Sequence, residues 1–258
     1  MEKIEISKNM YLCRFEKALG NFVGLNVFVI QNGNKALLID TGFEHNYLEI
    51  KEYLNKKNIE ITKTVVTHFH PDHMGGLKHL NNVDIYGSEF AKDTLKKFNK
   101  KFDHLLPNII VEKELKFTFG KHTIKLEENK GHSIDGILIT IDDKFLYVGD
   151  DMVFSHKGVP LVPLCADRNI ENHILSIEKI YENYKNKIII PSHGIIIKNQ
   201  SIIKKDLEDR LKYLKYVQQN PNCSVEEFKK NTGIKLFGEN NHKYNTNREV
   251  KQYEVEFK

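Results

Sequence analysis

Within the six residues His68-Phe69-His70-Pro71-Asp72-His73 the chain carries four side chains able to bind a metal ion. Imidazole nitrogen and carboxylate oxygen suit zinc, manganese or ferrous iron. A soft-metal or iron–sulfur centre would need clustered thiolates, and Cys13, Cys165 and Cys223 lie far apart in the sequence. In an extended segment alternate side chains point the same way, so His68, His70 and Asp72 share one side and His73 turns to another. One short loop can thus face two ions. The competing explanation, a polar surface turn at Pro71-Asp72 before Gly75-Gly76, does not account for so dense a set of ligand types.

Such a loop needs partners, and candidates stand at the ends of apolar strands. The runs Leu115–Phe119 and Thr123–Leu126 read as a hairpin, with Gly131-His132 just beyond. Gly136–Ile141 and Lys144–Val148 read as a second hairpin that ends at Gly149-Asp150-Asp151, and Lys187–Pro191 is a short apolar strand that delivers Ser192-His193-Gly194. Singly, His132 could be a cap, Asp150 a turn residue and His193 a core histidine; their shared placement beside glycines at strand ends favours ligands. Asp40, in Leu37-Leu38-Ile39-Asp40-Thr41-Gly42, is either a buried carboxylate that orients a ligand imidazole from behind or an Asx turn closing its strand.

Taken in order, Asp40-Thr41-Gly42, the His68–His73 cluster, Gly131-His132, Gly149-Asp150 and Ser192-His193-Gly194 resemble the metallo-β-lactamase superfamily over most of the chain. The resemblance implies an α/β fold, a four-layer αβ/βα sandwich of two mixed β-sheets flanked by helices, with a dinuclear site at one edge between the sheets. It implies that His68, His70 and His132 hold one metal, that Asp72, His73 and His193 hold a second, that Asp150 bridges them, and that Asp40 is the aspartate behind the ligands. The cofactors would be two divalent ions, zinc first, with iron or manganese as alternatives. True β-lactamases of the superfamily generally lack a bridging aspartate at the fourth motif and often use cysteine or serine near there, whereas glyoxalase II enzymes, lactonases, thioesterases and phosphodiesterases keep the aspartate. Asp150 therefore points away from antibiotic hydrolysis. His70 stands where diiron flavoproteins carry glutamate, and Asn129-Lys130-Gly131-His132 departs from the Thr-Pro-Gly-His form of glyoxalase II and typical lactonases.

Two cations about 3.5–4 Å apart would bring a shared water to near-neutral pKa and present it as hydroxide. Asp72 would orient that nucleophile, and Asp150 could pass a proton to the leaving group. The expected activity is a dinuclear metal-dependent hydrolase of an ester-like bond in a lactone, thioester or carboxylic ester. The rivals are a phosphodiesterase on the same site, a mononuclear-iron oxidoreductase of the persulfide dioxygenase type, and a non-catalytic metal-binding sensor.

The elements that must position these residues are legible in outline. Further strands are expected at Asn26–Ile30, Lys35–Ile39, Lys63–Thr67, Asp84–Gly87 and Ile109–Glu112, and helices at His45–Lys57, Met74–Leu80, Ser88–Lys100 and Asn169–Tyr184. Residues 1–200 form the expected catalytic domain, and 201–258 a C-terminal helical extension packed on it. In that extension Ser201–Gln219 has an apolar stripe at Ile203, Leu207, Leu211, Leu214 and Val217 with Asp206/Arg210 and Glu208/Lys212 as i,i+4 pairs. Ser224 and Glu227 match a capping box before Gly233, and Gln252–Lys258 reads as a last strand. A packed tail is expected there, with a homodimer contact as the alternative. Met152–Asp167 either lines a substrate pocket or packs down as a structural lid, opposite a wall at Asn99–Asn108.

A length of 258 residues suits one enzyme domain, and the net charge of +4 selects no nucleic acid. Lysines such as Lys96, Lys97, Lys100 and Lys101 read as a solvated helix face. The charged opening Met1–Ile6 is unlike a secretory signal, no apolar stretch reaches membrane-spanning length, and the scattered cysteines fit a reducing compartment. The expectation is a cytoplasmic protein acting on a small molecule, without nucleic-acid or membrane partners.

Overall fold

The computed structural model describes residues 1–19, 23–98 and 105–246. The first sheet has seven strands in chain order: β1 (Glu2–Ser7), β2 (Met10–Leu19), β3 (Val23–Asn32), β4 (Lys35–Ile39), β5 (Glu60–Val65), β6 (Asp84–Ser88) and β7 (Ile109–Val111). β1 to β4 pair antiparallel, and β4 to β7 pair parallel. The second sheet contains β8 (Glu114–Phe119), β9 (His122–Glu128), β10 (Ile137–Ile141), β11 (Phe145–Tyr147) and β12 (Ile188–Ile190), in the order β12-β11-β10-β9-β8. Only its β11–β12 pair is parallel.

The central strands β3, β4 and β10 are apolar on both faces, which burial on both sides requires. Phe28, Ile30, Leu37, Ile39 and Val65 of the first sheet meet Ile124, Leu126, Ile137, Ile139 and Tyr147 of the second in a shared inter-sheet core. Their neighbours one residue along, Val27, Val29, Ala36 and Leu38, face outward onto Tyr47, Ile50 and Leu54 of helix α1 (Glu44–Asn55). Leu138, Leu146 and Ile189 face outward from the second sheet onto Ile174, Ile177 and Ile180 of a helix at Ile170–Tyr184. The four layers are therefore helix, sheet, sheet, helix, as the resemblance implies.

Between these layers the chain forms α2 (Pro71–Met74), a 3-10 turn at Leu77–His79 and α3 (Ala91–Phe98); Ile170–Tyr184 is α4, and α5 (Gln200–Gln219), α6 (Val225–Thr232) and α7 (Glu239–Thr246) follow. The expected helix Met74–Leu80 is broken into α2 and the 3-10 turn by Gly75-Gly76. A Cβ on Gly76 would lie 2.4 Å from the Tyr47 ring, so α1 packs directly on that backbone. α5 lies on α4, capped by Asn199, whose side chain accepts the Ser201 and Ile202 amides at 3.0 and 3.3 Å. The Ser224/Glu227 capping box forms, and Gly233 ends α6 at φ 70°. β1, β2 and α7 lie where no element is expected from sequence, Gln252–Lys258 falls outside the described residues, and so does 99–104 of the Asn99–Asn108 wall. Among the described residues no helix is long and apolar enough to cross a membrane.

Candidate metal centre

Parallel pairing decides where the candidate ligands meet, because it aligns the carboxyl ends of β4 with β5 and of β11 with β12. Asp40 follows β4, the His68–His73 loop follows β5, Asp150 follows β11 and His193 follows β12. The Ile137 amide donates to Thr67 O at 2.8 Å and the Asn26 amide to Ser192 O at 2.7 Å, so the two sheets are hydrogen-bonded to each other at this edge. Pro71 opens α2, where its fixed φ and missing N–H are tolerated, and Asp72 and His73 sit on that turn.

All the expected ligands converge and are almost wholly buried. Donor atoms of His68, His70 and His132 lie within 4.8 Å of one another, as do those of His68, His73 and Asp150 and those of Asp72, His73 and His193. Asp150 stands at the junction. Its Oδ1 is 3.5 Å from His73 Nε2 and 3.3 Å from His193 Nε2, and its Oδ2 is 3.8 Å from His132 Nε2.

The donor set fits cations. The Nδ1 of His132 lies 2.8 Å from Leu164 O, that of His193 lies 2.8 Å from Gly24 O, and that of His73 lies 2.9 Å from Asp40 Oδ2. A carbonyl oxygen only accepts, so His132 and His193 carry hydrogen on Nδ1, which leaves the Nε2 lone pair of the neutral ring facing the cluster. The Nε2 atoms of His68, His73 and His193 and Oδ1 of Asp150 are buried without a hydrogen-bond partner. Buried polar atoms without a partner cost about 1–3 kcal/mol each, and their convergence on this cluster is what bound cations would relieve.

The electrostatics divide the cluster in two. Burial, then the neighbouring imidazoles, push His68 and His70 well below the usual histidine range, and burial lowers His132 as well. Burial also opposes charge on His73 and His193, yet the carboxylates beside them win. Asp72, Asp150 and Asp40 hold His73 well above its ordinary value, and Asp150 and Asp72 bring His193 up to about 10. Cations in this cluster would supply the compensation that those protons give, which couples metal binding to proton release.

Behind the donors lie buried carboxylates that grip backbone. Asp40, at φ 60°, accepts from the Thr67 amide at 2.8 Å and the Thr67 hydroxyl at 2.9 Å besides facing His73, so of its two sequence readings the structure has the carboxylate behind an imidazole. Left-handed backbone is tolerated by aspartate better than by most residues, and here the surroundings enforce it. Two further carboxylates were not singled out in the sequence. Asp135 accepts the Phe69 amide at 2.7 Å, and Asp151 accepts the His132 amide at 2.9 Å and the Asn129 side-chain amide at 2.7 Å. The only signal for either is its position within three residues of a motif histidine or aspartate, since nothing local distinguishes a buried acceptor from a turn residue. Gly131 is needed there because a Cβ would overlap the Asp151 carboxylate.

Cys165 Sγ, His173 and Asp151 line up with successive separations of 3.5 Å, in the order of a nucleophile, base and acid. All three are buried; burial raises the thiol far above its usual range and pushes the imidazole down to about 3, so the alignment is packing rather than a nucleophile. The Met152–Asp167 segment packs down: Met152, Phe154, Val162 and Cys165 belong to the core beneath α4 and α5. Lys97 lies on the exposed helix face, as expected, and forms an ion pair with Asp167 at the end of that segment.

Residues 20–193 match the model of the family described as the metallo-beta-lactamase superfamily. The chain is 25% identical over 189 residues to a Drosophila melanogaster beta-lactamase-like protein 2 homolog, covering 67% of this chain but only 60% of that protein. It is 27% identical over 199 residues to a metallo-beta-lactamase type 2 of Pseudomonas aeruginosa, covering 72% of this chain and 74% of that protein. An atrochrysone carboxyl ACP thioesterase of Pseudocercospora fijiensis is 28% identical over 135 residues, 52% of this chain and 38% of that protein. The solved structure of a metallo-beta-lactamase from Pontibacter korlensis superposes with a TM-score of 0.70 at 21% identity, covering 83% of this chain and 98% of that one. At that identity the superposition speaks to the fold.

Proposed function

Since the chain belongs to the metallo-β-lactamase superfamily, we propose that it is a metal-dependent hydrolase with a two-ion centre, acting on an ester-like acyl carbonyl in a small molecule. His68, His70 and His132 would hold one ion and Asp72, His73 and His193 the other, with Asp150 placed to serve both. The observation that carries this reading is the position of Asp150, within 4 Å of histidines from both groups. Zinc suits the nitrogen-rich set best, with iron or manganese as alternatives.

When bound, two divalent ions supply an acidified water and a Lewis acid for the oxygen that gains charge. The chain's own residues do the rest. Asp72 orients the attacking water through its carboxylate, Asp150 passes a proton toward the leaving group, and Asp40, Asp135 and Asp151 keep the ligand loops from shifting by holding Thr67, Phe69 and His132 through their amides. The carbonyl preference draws on the relatives named for lactamase and thioesterase activity. Among such carbonyls Asp150 favours esters over β-lactam amides, because the resemblance ties an aspartate at this motif to the ester- and thioester-cleaving branches. Of the apolar side chains of Met152–Asp167, Met152, Phe154 and Val162 give no support to that choice, since they are spent on the core. The free thiols Cys13, Cys165 and Cys223 accord with a cytoplasmic, reducing setting.

The test is metal analysis of the purified chain followed by turnover of nitrophenyl esters, thioesters, lactones, a penicillin-type amide and bis-nitrophenyl phosphate. Two ions per chain with preference for the esters, thioesters or lactones is the expected result. Preferential cleavage of the phosphodiester or of the amide would overturn the substrate class. One iron per chain with oxygen uptake on a persulfide would overturn the hydrolase, and metal without any turnover would favour a sensor.

A further inference from the structure

Every backbone carbonyl from Leu161 to Ala166 has a partner. Side chains of the C-terminal helices take most of them. Arg210 Nη1 on α5 donates to Leu161 O at 3.1 Å, Asn241 on α7 to Val162 O at 2.8 Å, Asn245 on α7 to Pro163 O at 2.7 Å, and Tyr244 Oη to Ala166 O at 2.7 Å. Cys165 O takes the Arg168 amide at 2.7 Å. Leu164 O alone in this run is turned onto a candidate ligand, His132, whose Nδ1 donates to it at 2.8 Å. Asn245 brackets that carbonyl. Its Nδ2 holds Pro163 O on one side, and its Oδ1 accepts the Cys165 amide at 3.0 Å on the other. The planar amide of one side chain therefore fixes both peptide units that flank Leu164, and so the direction of the oxygen that keeps hydrogen on His132 Nδ1 and its lone pair on Nε2. Tyr213 Oη, 3.1 Å from Asn245 Nδ2, holds the amide in turn.

The geometry points to Asn245 as a positioning residue of the metal centre, acting on His132 through the Leu164 carbonyl. The inference rests on the reading of His132 as a ligand. It also makes the C-terminal helices part of the site's working structure, although no ligand comes from them. Outer contacts to a ligating histidine change metal affinity by about 10–100-fold, and Asn245 should act in that range.

Zinc affinity of the metal-free chain, measured by competition with a chromophoric chelator, tests this without reference to turnover. Asn245→Ala should weaken zinc binding by about tenfold or more. Asn245→Asp keeps the acceptor for the Cys165 amide but sets a second acceptor oxygen against Pro163 O in place of the donor, so it should weaken binding too. Asn241→Ala removes one hydrogen bond between the same helix and the same loop away from Leu164, and should leave zinc affinity at the wild-type value while measurably lowering the thermal midpoint of the metal-free protein. Nitrogen-15 NMR of the metal-free imidazoles should find the Nδ1–H tautomer of His132 in the wild type and a loss of that preference in both Asn245 variants. Wild-type affinity in Asn245→Ala, or equal weakening in Asn241→Ala, overturns the inference alone. A wild-type chain that takes up no zinc overturns the hydrolase reading and this inference with it.

Discussion

The His68–His73 loop and the Val153–Arg168 loop both reach the donor cluster, but they are fixed in different ways. The first brings its own ligands, and its backbone is gripped by carboxylates at strand ends, Asp40 on Thr67 and Asp135 on Phe69. The second brings no ligand, only a carbonyl for His132, and is held mainly from α5 and α7, as far as 82 residues along the chain. Chemistry is concentrated where the chain turns tightly, and support arrives from wherever the fold can bring a donor. The difference shows why a site can be dense with motif on one side and bare on the other, yet depend on both.

Removing a donor from the first loop should have the largest effect. His68→Ala is expected to lower the bound metal count and to cut turnover by more than the ~10–100-fold typical of outer contacts. Metal analysis of the purified variant checks it, and an unchanged count would contradict the ligand assignment. Disturbing the second loop should act on stability first. Arg210 is fully buried, pairs with Asp206 at 2.6 Å and donates to Val153 O and Leu161 O. Arg210→Met strands the Asp206 carboxylate and both carbonyls, at a cost of about 3–5 kcal/mol in urea unfolding. The double variant Asp206→Leu/Arg210→Met should recover a good part of that loss, because the stranded charge is gone. If the double variant is as unstable as the single, the carbonyls rather than the charge dominate.

The smallest effect concerns acid. His173 lies between Cys165 and Asp151, and burial brings it down to about 3 from an ordinary 6.5. The unfolded chain therefore takes up a proton that the folded chain refuses between those values. The stability that comes from keeping this ring neutral is complete above about pH 6.5 and is lost as pH falls toward 3. His173→Gln should flatten that part of the stability–pH curve, and an unaltered slope in urea titrations across pH 4 to 6.5 would refute the assignment.

The strands around the site were legible because a fully buried sheet leaves long apolar runs, and runs such as Ile188-Ile189-Ile190 lie inside a strand end to end. β1 and β2 carry no clear strand signal because Glu2–Ser7 and Met10–Leu19 mix charge with apolar residues, as an edge strand and its neighbour do. Met74–Leu80 looked like one helix because helical spacing does not register the ring of Tyr47 pressed on Gly76. Asp206 and Arg210 looked like an ordinary i,i+4 pair, since that spacing is the same whether the pair faces water or core. Burial of Arg210 is tolerable only because Val153 and Leu161 turn carbonyls toward it.

The sequence by itself determined the ligand types, their order and the family they resemble, because these are properties of side-chain chemistry and of spacing within short segments. Tertiary structure alone decided that Asp135 and Asp151 are acceptors for ligand-loop amides, and that Asn245 reaches across the fold to the two peptide units that flank Leu164. Each of those depends on which strand ends and helices meet in space, and a hydrogen bond between residues far apart in the chain leaves no mark on the local sequence at either end.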